Sequence, residues 1–255
     1  MEFNIDTWNS VDDLWKDLFA INYVYQFRLN ENLRAEFAKV GINPFENYKF
    51  KANKPFKRLE PNEKQLGKIG ASKYFYASNC SLSDLEHLEG KEGLEVIDLS
   101  FNNLKSCEEL AKNTTLKEGY FEKNFLKSIG FLAASKDLEV LFVRNNVLEE
   151  IDALEGHNDL IFIDVSSNSL ADISVVKNND QLKELQCSNN LITNLDFLAG
   201  HASLEVLECD HNQIADFSFA FSLPKLKYLK LTNNPIADRN YNWDELIQKG
   251  VEVIL

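Results

Sequence analysis

The sequence predicts an α/β fold: a right-handed solenoid whose coils lay down a curved parallel sheet of about nine strands, with a helical cap before it and a helix-strand cap after it. Three observations carry this. The frame LxxLxLxxNxL in LEVIDLSFNNL, Leu94 to Leu104, returns every 22 residues. Its Asn falls at Asn102, Asn124, Asn146, Asn168, Asn190, Asn212 and Asn234, with Cys80 one period earlier, so seven periods pass without a slip. The apolar positions hold the same register, as in Leu138, Leu141, Val143, Leu148 and Ile151, and again in Leu182, Leu185, Cys187, Ile192 and Leu195. Each repeat is one supersecondary unit that buries its apolar face only by stacking on its neighbours.

An open stack exposes an apolar cross-section at each end, so a cap is required there. Residues 1–65 do not repeat and read as that cap, with Trp8, Trp15, Phe19 and Phe27 as its core. Ser10 stands before VDDLWKDLFAINYVYQF as an N-cap, and Leu14, Leu18, Ile21 and Tyr25 mark one helical face. A second helix is expected from Glu31 to Val40, stopped by Gly41. The segment NPFENYKFKANKPFKRLEP reads as an irregular connection in which Tyr48 and Phe50 alternate like a short strand. Its basic stretch, Lys49 to Arg58, is expected to be solvated or to face the acidic array rather than nucleic acid.

Residues 66–255 are expected to hold eight 22-residue repeats and a C-terminal cap. In each repeat, five residues such as Val140 to Arg144 form a short strand with two apolar side chains inward and three side chains outward. The recurring Asn has a structural role: its amide satisfies backbone groups that the turn leaves unpaired, forming a ladder along the array. Four residues later come Asp84, Ser106, Ser128, Glu150, Asp172, Asn194, Asp216 and Asp238, mostly short polar side chains of the kind that start a helical turn. Gly90, Gly156 and Gly200 fit a left-handed end to that turn. After Pro235, Asn242 to Lys249 reads as a true helix, and Leu229 plus one period predicts a ninth strand centred on Val251.

Residues 72–255 resemble the 22-residue leucine-rich repeats of the internalin type and of the cytosolic protein-phosphatase regulators built from similar repeats. The step Asp172-Ile173 in LADISVV resembles the internalin frame, and NNPIADRNYNWDELIQKGVEVIL resembles the C-terminal cap of the regulators. The resemblance implies a binding scaffold rather than a particular partner. One position departs from those families: their Leu eleven residues after the Asn is here Lys91, Asn113, Ser135, His157, Asn179, His201 and Leu223.

Charge and composition narrow the function. The chain has 255 residues and a net charge of -13; residues 71–255 alone carry 16 Lys/Arg against 30 Asp/Glu, so the array holds an excess of -14. Such a surface repels phosphates and anionic headgroups, so no nucleic-acid or membrane partner is expected, and a basic or neutral protein is. No apolar run of 18 residues exists and MEFNIDTWNS lacks a secretory pattern, so a cytoplasmic monomer is expected. Cys80, Cys107, Cys187 and Cys209 occupy inward positions as reduced thiols.

Strand alternation turns Tyr74, Tyr76, Val96, Tyr120, Val140, Phe142 and Phe162 outward on the concave face as a solvent-exposed aromatic patch. Asp98, Glu118, Glu122, Arg144 and Asp164 lie among and beside them. These twelve residues are the expected protein-binding site. No catalytic residue, metal ligand or cofactor is expected: His87, His157, His201 and His211 have no second ligand at metal spacing, and no nucleophile or phosphate motif occurs. The function predicted is a non-catalytic protein-protein interaction module. The alternatives are a regulatory subunit or inhibitor of an enzyme such as a phosphatase, or a host-directed bacterial effector.

Overall fold

The computed structural model describes residues 4–25, 61–236 and 241–255. The expected helix Glu31 to Val40, the connection with Tyr48 and Phe50, the Lys49 to Arg58 stretch, Phe27 and Asp238 lie outside the described residues.

The cap begins with two helices rather than the single one expected. In α1 (Ile5–Ser10) the Asn4 side chain accepts from Thr7 N–H, so Asn4 is the cap and Ser10 is the last residue of the helix. The chain turns at Val11, and Asp12 Oδ1 accepts from Trp15 N–H at 3.1 Å to open α2 (Asp13–Tyr25). This break rotates the buried face: Trp15, Leu18, Phe19 and Asn22 point inward, whereas Leu14, expected inward, is exposed. A further helix, α3 (Glu63–Gly70), spans the boundary expected at 65/66 and buries Leu66 and Ile69. Its signal was present in the sequence as a capping box, Asn62 with Gln65 three residues on. Asn22 then seals the edge of the sheet, since its amide donates to Tyr76 O at 2.9 Å and accepts from Tyr76 N–H at 2.7 Å.

Nine parallel strands follow in sequence order: β1 (Tyr74–Tyr76), β2 (Val96–Asp98), β3 (Glu118–Tyr120), β4 (Val140–Phe142), β5 (Phe162–Asp164), β6 (Glu184–Gln186), β7 (Val206–Glu208), β8 (Tyr228–Lys230) and β9 (Glu252–Ile254). From β1 to β8 the register advances by the expected 22 residues, as in Phe75↔Ile97 and Leu207↔Leu229. The last step departs from expectation: Leu229 pairs with Val253, two residues beyond Val251. The helix α4 (Trp243–Gln248) consumes more chain than the 3-10 turn it replaces, and Gly250 at φ 85° turns the chain back into the sheet.

The ladder forms as expected. Asn102 Oδ1 accepts from Leu82 N–H at 3.0 Å, while its Nδ2 donates to Ala77 O and Leu99 O, both at 2.8 Å. The same three bonds recur through Asn234, which holds Ile214 N–H, Cys209 O and Leu231 O. The residue before each ladder position is left-handed, with φ between 53° and 59° at Asn79, Phe101, Lys123, Asn145, Ser167, Asn189, His211 and Asn233. Asn and His tolerate that conformation better than most residues. Five of the eight positions carry one, a signal sequence reading passed over.

The back of each repeat is a 3-10 turn. Asp84, Ser106, Ser128, Asp172, Asn194 and Asp216 each accept from the N–H two residues ahead and so open it. The polar column that departs from the family pattern is buried and works on backbone carbonyls. Lys91 Nζ donates to Gly70 O and Ser72 O, Ser135 Oγ donates to Asn113 O, and the Nε2 atoms of His157 and His201 lie 3.0 Å from Leu132 O and Asn179 O. Burial pushes the Lys91 ammonium down to about 8.

All four cysteines are free thiols; Cys107, Cys187 and Cys209 are buried and Cys80 is partly so. Burial raises the Cys80 thiol to about 11, which starves it of reactive thiolate. In the native protein a thiol reagent should therefore leave three cysteines untouched and label Cys80 slowly. Rapid native labelling of two or more would contradict the inward placement.

Candidate functional site on the concave face of the sheet

The predicted site residues do come together, because register places equivalent positions side by side on neighbouring strands. Tyr120 stacks on Phe142 with centroids 5.2 Å apart, and Phe142 on Phe162 at 4.4 Å. Their exposure differs from expectation. Tyr120 is 0% and Phe142 and Phe162 are each 2% exposed, and Tyr76, Val96 and Val140 are also buried. With partly buried Tyr74 they form a second apolar cluster, separate from the main core. Alternation gave the correct side of the sheet, but that side is not solvated from β1 to β5.

The charged members are buried as well. Asp98 and Glu122 are wholly buried and Asp164 nearly so, with Arg144 as the cation between them: its Nε lies 2.9 Å from Glu122 Oε2 and 3.7 Å from Asp164 Oδ2. Glu118, partly buried, accepts from the Tyr120 hydroxyl at 3.0 Å. Burial pushes the Asp98 carboxyl up to about 7 and that of Asp164 to about 6, against the N–H groups of Ser100 and Ser166 that each accepts from.

The accessible part of the face lies on β6 to β8, which sequence reasoning passed over because it followed the aromatics. There Glu184, Gln186, Val206, Glu208, Tyr228 and Lys230 are all partly exposed. Burial raises the carboxyls of Glu184 and Glu208, and neighbouring carboxylates add to the shift. Lys230 lies 3.2 Å from Asp210 Oδ1 and 3.9 Å from Glu208 Oε2. Asp210 also accepts from Ser188 Oγ and faces His211 Nδ1 at 2.7 Å. The Ser188 hydroxyl is thus committed to a carboxylate, not to an imidazole, and does not make a serine-histidine pair.

Beside the concave face, Lys and Glu alternate at the position preceding β1 to β4, giving Lys73–Glu95 at 2.6 Å and Lys117–Glu139 at 3.9 Å. Such exposed pairs contribute little each. No described helix is long and apolar enough to cross a membrane.

Comparison with known proteins agrees with this geometry. The family described as Leucine Rich repeats (2 copies) matches residues 202–238. An internalin (inlF) from Listeria monocytogenes is similar at a TM-score of 0.67 and 22% identity, over 74% of this chain and 56% of the internalin. The chain thus spans little more than half of that protein. Internalin C2 from the same organism is similar at a TM-score of 0.63 and 22% identity, over 72% of this chain and 79% of that one. A plant peptide hormone receptor in complex with RGF2 matches at a TM-score of 0.51 and 18% identity, over 60% of this chain and 30% of the receptor. No curated protein matches the chain. Period, ladder, register and these likenesses together make the described residues of 74–236 and 241–254 a leucine-rich-repeat solenoid.

Proposed function

We propose that this chain is a non-catalytic protein-binding module that takes a basic or neutral protein partner on the concave side of its sheet. Leucine-rich-repeat arrays in general are protein-protein interaction scaffolds, and extended concave surfaces are what solenoids offer a partner. The observation that carries the reading is the acidic, partly exposed stretch of β6 to β8, where Glu184 and Glu208 are accessible beside buried Asp210, with Lys230 among them. Like charges held close on a partly dehydrated surface are relieved by a partner's cations, which favours association and fixes register. The accessible contacts are those of β6 to β8, with Tyr228 and Val206 as apolar anchors; the buried β1 to β5 cluster sets the field beneath and beside them.

The test is affinity capture with the full chain, followed by stopped-flow association of the captured partner. Glu184→Gln with Glu208→Gln should slow association severalfold, and the rate should fall with ionic strength, since exposed charges are screened beyond about 8 Å at 0.15 M salt. Salt-independent association that the double variant leaves unchanged would place binding on another surface.

A further inference from the structure

The structure brings together three side chains that the sequence keeps apart. Asp12, at the start of α2, lies against Glu86 and His87 on the 3-10 turn of the first repeat, 75 positions away from the histidine. Among the described residues this is the one group of three carboxylate, imidazole or thiol side chains whose ligand atoms all lie within 4.8 Å of one another.

We propose that Asp12, Glu86 and His87 form a surface site for a divalent transition-metal ion of the zinc class, which staples the helical cap to the first repeat. The distances suit such an ion. His87 Nε2 lies 3.2 Å from Asp12 Oδ2 and 3.3 Å from Glu86 Oε1. Bonds of about 2.0–2.1 Å in a tetrahedral shell put neighbouring ligand atoms about 3.3 Å apart, so these two edges are already in place. The Asp12–Glu86 edge lies within 4.8 Å, and the exposed Glu86 side chain can adjust to it.

The other two ligands are held. Asp12 keeps its Oδ1 on Trp15 N–H, which leaves Oδ2 turned to the histidine. The His87 ring packs edge-on against Trp15 at 5.5 Å, and this fixes its plane. Although burial raises the Asp12 carboxyl, the Trp15 N–H and the His87 ring outweigh it and hold the carboxyl below its ordinary value, ready as an anion. One imidazole nitrogen with two carboxylate oxygens suits zinc or cobalt rather than calcium or magnesium, which prefer oxygen alone. The exposed side of the cluster leaves the fourth position to water.

Calorimetric titration of the full chain with zinc chloride tests this, with cobalt chloride as an absorption probe. One saturable equivalent is expected, weaker at pH 5.5 than at pH 7.5 because protons compete for the imidazole. Glu86→Gln changes only an exposed group, and both it and His87→Ala should weaken binding at least about tenfold while leaving the circular dichroism unchanged. Absence of saturable binding, or binding that both variants retain, would show that the cluster is a hydrogen-bonded ion pair only and overturn the proposal.

Discussion

Phe142→Ser is expected to destabilise the array by about 3 to 5 kcal/mol, the cost of removing a large buried aromatic and leaving a cavity. Alternation alone predicts a far smaller loss, about 0.5 kcal/mol, because it turns Phe142 to solvent. The structure reverses that expectation. Phe142 is 2% exposed and lies between Tyr120 and Phe162, so truncation removes two ring stacks and buries a hydroxyl in their place. Each stack adds about 0.5 to 1.5 kcal/mol beyond burial. Phe125→Ser is the control, since Phe125 is 52% exposed and should shift stability by no more than about 0.5 kcal/mol. Urea unfolding of both variants decides the matter. A loss below about 1 kcal/mol for Phe142→Ser would show that the concave cluster is solvated.

Asn146→Ala should cost about 3 kcal/mol or more, as much as many core truncations, although it deletes only a small polar group. The amide serves four backbone groups: Leu126 N–H at 2.9 Å, Phe121 O and Val143 O at 3.0 Å each, and Arg144 O at 3.4 Å. Each one left buried and unpaired costs about 1 to 3 kcal/mol, less whatever water recovers. Asn146→Asp keeps the acceptor and loses the donors, so Leu126 N–H should stay protected while stability still falls. Thermal unfolding with amide exchange at Leu126 and Leu148 reads both effects. Retained stability in Asn146→Ala would mean that solvent already reaches the ladder.

What the sequence disclosed follows from how local each feature is. Register from β1 to β8, the Asn ladder and the polar openings of the turns rest on contacts that repeat every 22 residues, so periodicity carries them. The two-residue slip at β9 arises because α4 replaces a 3-10 turn, and the chain a helix consumes is not part of the period. In the cap, Leu14 fitted a plausible helical stripe, but the Asp12 cap shifted the buried face by one residue. The site was half legible. Alternation identified which side chains face the concave side, whereas their burial depends on packing that no single strand encodes. The meeting of Asp12 with His87 needed the cap docked on the array.

The ladder also has a direction, and this bears on synthesis. Each amide completes the turn of the repeat before it: Asn124 serves Leu104, and Asn146 serves Leu126. A chain made from its N-terminus therefore finishes no repeat when that repeat leaves the ribosome; the closing amide arrives one period later. Assembly lags translation by one coil, and each new coil locks the one before it. Past Asn234 it is β9, following α4, that pairs with the strand of the eighth coil. Truncation should accordingly be asymmetric. Removing the final cap leaves the eighth coil without its closure, as if translation had stopped one step early.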